Sequence, residues 1–168
     1  MIKKFPYVDT INDLTSEQRW DLHFIELAEL VGKKSKDPST KVGAIIVDKN
    51  NRIISTGYNG LPQKLQDTNN ILLDRDRKLK QIIHAEENAI IFAKQDLTNC
   101  VIYVWPMNSC SSCASKIIQA GIKKVVTITN TVDRWKNSFN ITKESFKTAG
   151  VEFIEYDSKS YNIIKGRY

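Results

Sequence analysis

Apolar residues between positions 15 and 31 recur every three or four residues, a spacing that predicts a helix with one apolar face. That face comprises Trp20, Phe24, Leu27, Ala28 and Val31. Thr15, followed three residues later by Gln18, fits a capping box at the start of the helix, and Gly32 suits its end. The pattern therefore predicts a long amphipathic helix in the first fifth of the chain.

The stretch KVGAIIVDKNNRIISTGYNG predicts a β-hairpin. Its strands are Val42–Val47 and Arg52–Thr56, and Lys49–Asn51 form the turn. Residues 61–80 are polar and rich in Asn, Asp and Lys, so they predict a long surface loop with a short helix at 72–80. A loop of this length is uncommon in a compact domain unless it serves a function.

Helical and strand-like segments alternate in the second half of the chain. The predicted helices are 84–94, 111–120 and 134–149, and the predicted strands are 100–104, 124–129 and 151–154. A hairpin followed by this alternation predicts an α/β three-layer sandwich, in which a mixed five-stranded sheet has helices on both faces. From the length of 168 residues we expect residues 1–168 to form a single domain.

The composition is that of an ordinary globular protein, with 41% hydrophobic and 26% charged residues. No apolar run approaches the roughly 20 residues that a membrane-spanning helix needs. The N-terminal residues MIKKFPYVDT contain no apolar signal core, so we expect a cytoplasmic protein. Three cysteines cannot all pair in disulfides, and in a cytosolic chain a cysteine pair indicates metal or redox chemistry.

The positive charge is concentrated near the C-terminus. Residues 116–168 carry ten basic and five acidic side chains, which accounts for +5 of the net charge of +6. A basic region of this kind suits an anionic ligand such as a nucleotide phosphate or a nucleic-acid backbone. A solvated, lysine-rich surface is the alternative interpretation.

Cys110 and Cys113 lie three residues apart at the start of a predicted helix, which brings both sulfurs to one face. Sulfur and imidazole ligands together favour zinc, and His84 is a plausible third ligand. A redox cysteine pair and a closed structural zinc site are the alternatives. We expect Cys100 to be a buried apolar residue and His23 to be structural, so three ligands and one open position indicate a catalytic zinc.

Glu86 lies two residues after His84, and this spacing restricts where both can face one site. Two residues differ by roughly 200° around a regular helix, so the pair can flank one site only at a helix start. A carboxylate beside a metal, but not bound to it, can take a proton from an activated water. A surface carboxylate at a helix N-terminus is the alternative.

The pattern H-x-E followed by C-x-x-C resembles the zinc-dependent nucleoside and nucleotide deaminases. The stretches KSKDPSTKVGA (34–44), STGYNGLP (55–62), HAEENAI (84–90) and IIQAGIKKVV (117–126) are similar to the deoxycytidylate (dCMP) deaminase branch of that family. The resemblance extends from about residue 16 to about residue 155. One departure is clear: Ser109 stands where the family pattern has a proline directly before the first cysteine, and Pro106 lies three residues earlier.

The resemblance implies hydrolytic deamination of dCMP to dUMP and ammonia, as part of deoxypyrimidine nucleotide metabolism. It implies one catalytic zinc per chain, held by His84, Cys110 and Cys113, with Glu86 as the proton shuttle. It also implies a homo-oligomer, commonly a hexamer in the family, and in some members control by dCTP and dTTP. We expect no membrane partner.

The resemblance also suggests residues that contact the substrate. The backbone N–H of Ala85 is expected at the base, and Asn59 at the nucleoside. Ser35, Lys36 and Arg134 are the candidates for the phosphate, and a guanidinium such as that of Arg134 matches phosphate geometry.

Three other functions remain open on the sequence. A tRNA adenosine deaminase has the same zinc motif and fold, and the basic C-terminal region is compatible with RNA. A deaminase of cytosine bases or nucleosides differs only in not requiring the phosphate. A non-catalytic zinc-binding module on the same scaffold would not need Glu86, which is present.

Overall fold

A computed structural model describes residues 2–5, 12, 14–130 and 132–166 of the chain. Six strands form one mixed sheet in the order β1-β6-β5-β4-β2-β3. The strands are β1 (Ile2–Phe5), β2 (Gly43–Val47), β3 (Ile53–Tyr58), β4 (Val101–Trp105), β5 (Lys124–Ile128) and β6 (Glu152–Tyr156). Strand β2 is antiparallel to β3 and β4, whereas β4, β5, β6 and β1 run parallel to one another.

Helices cover both faces of the sheet. They are α1 (Ser16–Gly32), α2 (Asn69–Leu72), α3 (Arg75–Gln81), α4 (Ala85–Ala93), α5 (Ser111–Gln119), α6 (Lys136–Ala149) and α7 (Ser158–Ile164). Successive strand residues point to opposite faces, so Ile45 and Val47 pack with α1 and α7, whereas Ala44 and Ile46 pack with α4, α5 and α6. The core is thus divided between two layers, one on each side of the sheet.

The predicted fold class is confirmed, and all five predicted strands are present within one or two residues of their expected ends. The sheet has one further strand, β1, which pairs in parallel with β6 at the edge. Helix α7 also lies beyond the predicted elements, and the polar insertion forms α2 and α3. Local periodicity does not indicate β1, because its partner lies about 150 residues away in the sequence.

Helix α1 begins with the predicted capping box, in which the Thr15 side chain accepts from the Gln18 N–H and the Gln18 side chain accepts from the Thr15 N–H. Its buried face is rotated from the predicted one, because Trp20 is exposed and Asp21 is buried. The helix ends at Gly32, where an added Cβ would lie 2.9 Å from the backbone nitrogen of Gly43. This glycine permits close packing of α1 on β2.

Gly57 in β3 has a similar role on the other face of the sheet. An added Cβ at Gly57 would lie 2.2 Å from the carbonyl oxygen of Ala85 and 2.5 Å from the nitrogen of Ala89. Only a residue without a side chain allows α4 to lie this close to the strand. Gly57 therefore fixes the position of the helix that begins immediately after His84.

None of the helices in the described ranges has the length and hydropathy required to cross a membrane. The expectation of a cytoplasmic protein was based on the N-terminal residues MIKKFPYVDT. Of these, the structure describes only Ile2–Phe5.

Candidate active site

Two helices direct their N-termini toward the same point on one side of the sheet. His84 is the N-cap residue of α4 and has an extended backbone, with φ −72° and ψ 159°. Cys110 is the N-cap of α5, with φ −71° and ψ 164°, and Cys113 follows in the first turn. The position of His84 at a helix start is the one that the spacing to Glu86 requires, so both side chains can reach one site.

The Nδ1 atom of His84 lies 3.5 Å from the sulfur of Cys110 and 3.4 Å from the sulfur of Cys113. Zinc bonds of about 2.3 Å to sulfur and about 2.0 Å to nitrogen, in tetrahedral geometry, require a nitrogen-to-sulfur distance of roughly 3.5 Å. The donor set and its spacing therefore fit one zinc ion. Within the described ranges, no fourth His, Cys, Asp or Glu side chain joins this group.

The cysteine and histidine side chains polarise one another. Hydrogen bonds from Cys113 and from the His84 ring lower the pKa of the Cys110 thiol to about 4. The bond to Cys110 in turn raises the pKa of His84 to about 9. The N-terminus of α5 also favours a thiolate, which is the form of cysteine that binds metals.

Glu86 lies in the first turn of α4 and is 4% exposed. Burial raises the pKa of its carboxyl group, while the positive charge of His84 acts in the opposite direction with a smaller effect. The Ser109 hydroxyl is close enough to lower this pKa slightly, yet it forms no hydrogen bond of regular geometry with any described residue. A carboxyl group with a raised pKa is suited both to accept and to release a proton.

Glu87 connects the two helices that carry the metal-binding side chains. One carboxylate oxygen accepts from the backbone N–H of His84 at 3.1 Å, and the other accepts from the Lys116 ammonium group on α5. Lys116 also donates to the Ser112 hydroxyl at 3.2 Å. This contact between α4 and α5 was not predicted from the sequence.

A cavity of about 200 Å³ opens beside His84, Glu86 and Cys110. Ala85 and Asn59, both predicted as substrate contacts, line it. The Asn59 side chain accepts from the Val42 N–H at 2.8 Å and donates to the Thr40 carbonyl at 2.9 Å. These bonds fix the orientation of Asn59 in the cavity wall.

Cationic side chains also line the cavity. Arg134, predicted as a phosphate contact, lines the cavity and donates to the Thr40 hydroxyl at 3.2 Å. Arg75 and Lys78 of α3 also line it, although the sequence analysis did not single them out. The only sequence signal for them is the length of the polar insertion, which contains α3.

Other predicted residues lie outside the cavity. Ser35 is buried and donates to the Asn59 carbonyl at 2.7 Å, and the exposed Lys36 forms an ion pair with Asp67 at 2.7 Å. The structure does not bring either of them to the cavity wall. His23 packs its ring against Trp20 and Phe24 on α1, and Cys100 is a buried core residue, as expected for both.

The fold and the site define the class of zinc-dependent hydrolytic deaminases, in which a metal and a carboxylate act on a nucleobase amine. Residues 18–129 match the model of the cytidine and deoxycytidylate deaminase zinc-binding region, and the chain belongs to this family. Membership confirms zinc as the cofactor. Membership also favours a zinc-binding role for the Cys110–Cys113 pair over a redox role.

Individual proteins show the same relationship. The chain is 47% identical to an uncharacterized deaminase of Aliivibrio fischeri over 137 residues, which cover 80% of this chain and 91% of the relative. It is 36% identical to the deoxycytidylate deaminase of Mus musculus, with 92% of each chain covered. The crystal structure of dCMP deaminase from the cyanophage S-TIM5 in apo form matches with a TM-score of 0.65 and 26% identity, covering 84% of this chain and 99% of that one.

Proposed function

We propose that the chain catalyses the hydrolytic deamination of dCMP to dUMP and ammonia in deoxypyrimidine nucleotide metabolism. The observation that carries the proposal is the position of the buried Glu86 carboxyl beside the converging His84, Cys110 and Cys113 side chains, in a family of cytidine and deoxycytidylate deaminases. The relative from Mus musculus, which is similar over nearly the whole chain, is a deoxycytidylate deaminase.

His84, Cys110 and Cys113 would hold the zinc ion, and three protein ligands are the number typical of a catalytic zinc. A zinc ion bound there would lower the pKa of a coordinated water to about 7 and so supply a nucleophile at neutral pH. His84 and Cys110 present their ligand atoms from two helix N-caps, so the backbone fixes the geometry of the site.

Glu86 moves the proton in the reaction. Its carboxylate accepts the proton of the water that attacks C4 of the cytosine ring and delivers it to N3. It then takes the proton of the new C4 hydroxyl and passes it to the amino group, so that the C4–N bond breaks, ammonia leaves and a carbonyl remains at C4. The raised pKa that burial gives Glu86 suits this double role.

The nucleoside is bound between α4 and the loop before β2. The Ala85 backbone N–H, at the first position of α4, is available to an oxygen of the base, and we place the sugar beside Asn59, which lines the cavity. For the phosphate we propose Arg134 and Arg75, since both line the cavity and carry guanidinium groups. Ser35 donates to the Asn59 carbonyl, and Lys36 is paired with Asp67. Both lie outside the cavity and are therefore less suited to bind the phosphate.

A substrate panel tests the proposal. Ammonia release by the zinc-loaded protein is measured with dCMP, CMP, deoxycytidine, cytosine and an unmodified tRNA, and the highest kcat/KM is expected for dCMP. Equal activity on cytosine or deoxycytidine would indicate a base or nucleoside deaminase. Activity on tRNA without activity on dCMP would replace the proposal with the tRNA adenosine deaminase alternative.

We further propose a single domain over residues 1–168, a cytoplasmic location and a homo-oligomer, with a hexamer as the expected form. The six strands share one sheet, and none of the three cysteines forms a disulfide, as is typical of a reducing compartment. On α4, Ile91 and Phe92 are 57% and 45% exposed, and burial between subunits would stabilise them. Light scattering measures the oligomeric state.

Titrations with dCMP, with and without added dCTP or dTTP, test control by these effectors. Identical hyperbolic curves would exclude such control.

A further inference from the structure

Asn108 has an unusual environment for a buried amide. The residue is 5% exposed, and neither its Nδ2 nor its Oδ1 atom has a hydrogen-bond partner among the described residues. A buried carboxamide without partners destabilises the folded protein, because its two donors and its acceptor lose their hydrogen bonds to water and form no others. Such a group calls for a functional explanation.

The backbone around Asn108 is held firmly, whereas its side chain is not. The Pro106 carbonyl accepts from the Asn130 side chain at 3.2 Å, and the Ser109 carbonyl accepts from the Thr142 hydroxyl at 2.9 Å. The next helix is fixed in the same way, because the Ser111 N–H donates to the Ser138 hydroxyl at 2.9 Å. The loop therefore presents the Asn108 side chain in a defined position without using it for the fold.

Asn108 lines the same cavity as His84, Ala85, Glu86 and Cys110. These residues surround the position where C4 of the base reacts. Asn108 lies two residues before Cys110 in the loop that leads into α5, so it belongs to the reactive end of the cavity. Arg75 and Arg134 provide the cationic groups for the phosphate, which an uncharged amide does not match.

We propose that Asn108 is a specificity-determining residue whose carboxamide hydrogen-bonds to the edge of the pyrimidine base. This inference rests on the proposed function. A pyrimidine edge offers a carbonyl acceptor at C2 and, in cytosine, a ring acceptor and an amino donor. A carboxamide can donate to the C2 carbonyl, or it can donate to the ring acceptor and accept from the adjacent amino group, so a bound base supplies the partners that the free protein lacks.

The test compares Asn108→Leu, which has similar volume without polar atoms, with Met107→Leu as the matched control in the same cavity wall. Binding of dUMP and of deoxyribose 5-phosphate is measured by calorimetry, together with kcat/KM for dCMP, zinc content and Tm. Asn108→Leu is expected to weaken dUMP binding and kcat/KM by about 10-fold or more, because it removes the hydrogen bonds to the base. Deoxyribose 5-phosphate binding and the zinc content stay unchanged, and Tm stays at or above the wild-type value.

Unchanged dUMP affinity in Asn108→Leu, or an equal loss of deoxyribose 5-phosphate affinity, would overturn the inference. A clear fall in Tm would likewise overturn it, because the side chain would then be structural. The proposed function fails separately, if the wild-type protein binds dUMP but does not deaminate dCMP. Binding of dUMP reports on Asn108 in either case, because it does not require turnover.

Discussion

The Lys78 ammonium group donates to the Asp37 carboxylate at 2.8 Å, and both side chains are buried. The pair connects α3, within the polar insertion, to the loop before β2. Asp37 also accepts from the backbone N–H groups of Ser39 and Thr40, so the same carboxylate organises the wall of the cavity. The insertion is thus attached to the active site by a charge pair that is shielded from water.

Lys78→Met is expected to destabilise the protein by about 3–5 kcal/mol, because it leaves the Asp37 carboxylate buried without its counter-charge. Urea denaturation measures the change. Lys80→Met, at an exposed position in the same helix, is the control and should alter stability by about 0.5 kcal/mol or less. Equal stability of the two variants would contradict a structural role for the pair.

Lys116→Met tests the contact between α4 and α5. Loss of the bond to Glu87 frees the backbone of His84 and should weaken zinc retention about 10-fold, the order seen when groups that support metal ligands are removed. Competition with a chelator measures this. Stability should change by less than about 1 kcal/mol, since the pair is partly exposed. Lys123→Met, at an exposed position, is the control. If the two variants lose zinc at the same chelator concentration, Lys116 does not have this positioning role.

Gly57→Ala tests the close packing of α4 on β3. The new methyl group would overlap the carbonyl oxygen of Ala85, so α4 must shift and the protein should lose about 1–3 kcal/mol of stability. Zinc affinity should fall as well, because His84 directly precedes α4. Gly60→Ala is the control, since its nearest neighbour would be a Tyr58 ring carbon at 3.7 Å. Similar effects of both substitutions would contradict the prediction.

The buried cluster around Asp21 predicts a loss of stability in alkali. The Tyr103 and Tyr156 hydroxyls donate to Asp21 at 2.8 and 2.9 Å, and burial together with this carboxylate raises the pKa of both tyrosines. Burial lowers the pKa of Lys124, but Asp21 and Glu17 outweigh it and keep that pKa above its usual value. Above about pH 10 the unfolded chain releases protons that the folded chain retains, so stability falls as pH rises.

The expected slope is roughly 1.4 kcal/mol per pH unit for each such hydroxyl above pH 10. Denaturation at pH 8, 9.5 and 11 measures how the free energy of unfolding depends on pH. Between pH 8 and 11, Tyr156→Phe should lose less stability than the wild type. Burial also raises the pKa of Asp21 itself, and Lys124 and the two tyrosine hydroxyls act in the opposite direction. Tyr58→Phe, at an exposed position, should retain the wild-type slope. An unchanged slope in Tyr156→Phe would show that this hydroxyl is not responsible.

The convergence of the three candidate zinc ligands could be predicted because its signal is local. His84, Ala85 and Glu86 are contiguous, and Cys110 and Cys113 share one helix start, so spacing and residue type restrict both chemistry and geometry. The helix start at His84 followed from the two-residue spacing alone. The hairpin, the helices and the central strands could also be predicted from neighbouring residues, because their periodicity is strong.

The rest of the site depends on contacts between residues that are distant in the sequence. Lys78 reaches Asp37 across 41 positions, and the same helix α3 carries Arg75, which lines the cavity. Asp21 is buried although it was not part of the predicted apolar face of α1, because three side chains from three strands neutralise or bond to it. No local pattern in the sequence carries this information.

In the proposed mechanism, a metal held by three side chains and a neighbouring, unbound carboxyl group together deaminate dCMP. Turnover of dCMP by zinc-loaded Glu86→Gln, with zinc content determined on the same sample, tests it most directly. The variant should retain about one zinc per chain and lose roughly 100- to 10,000-fold in kcat, the usual contribution of a general acid–base group. Turnover at the wild-type rate with zinc in place would contradict the account.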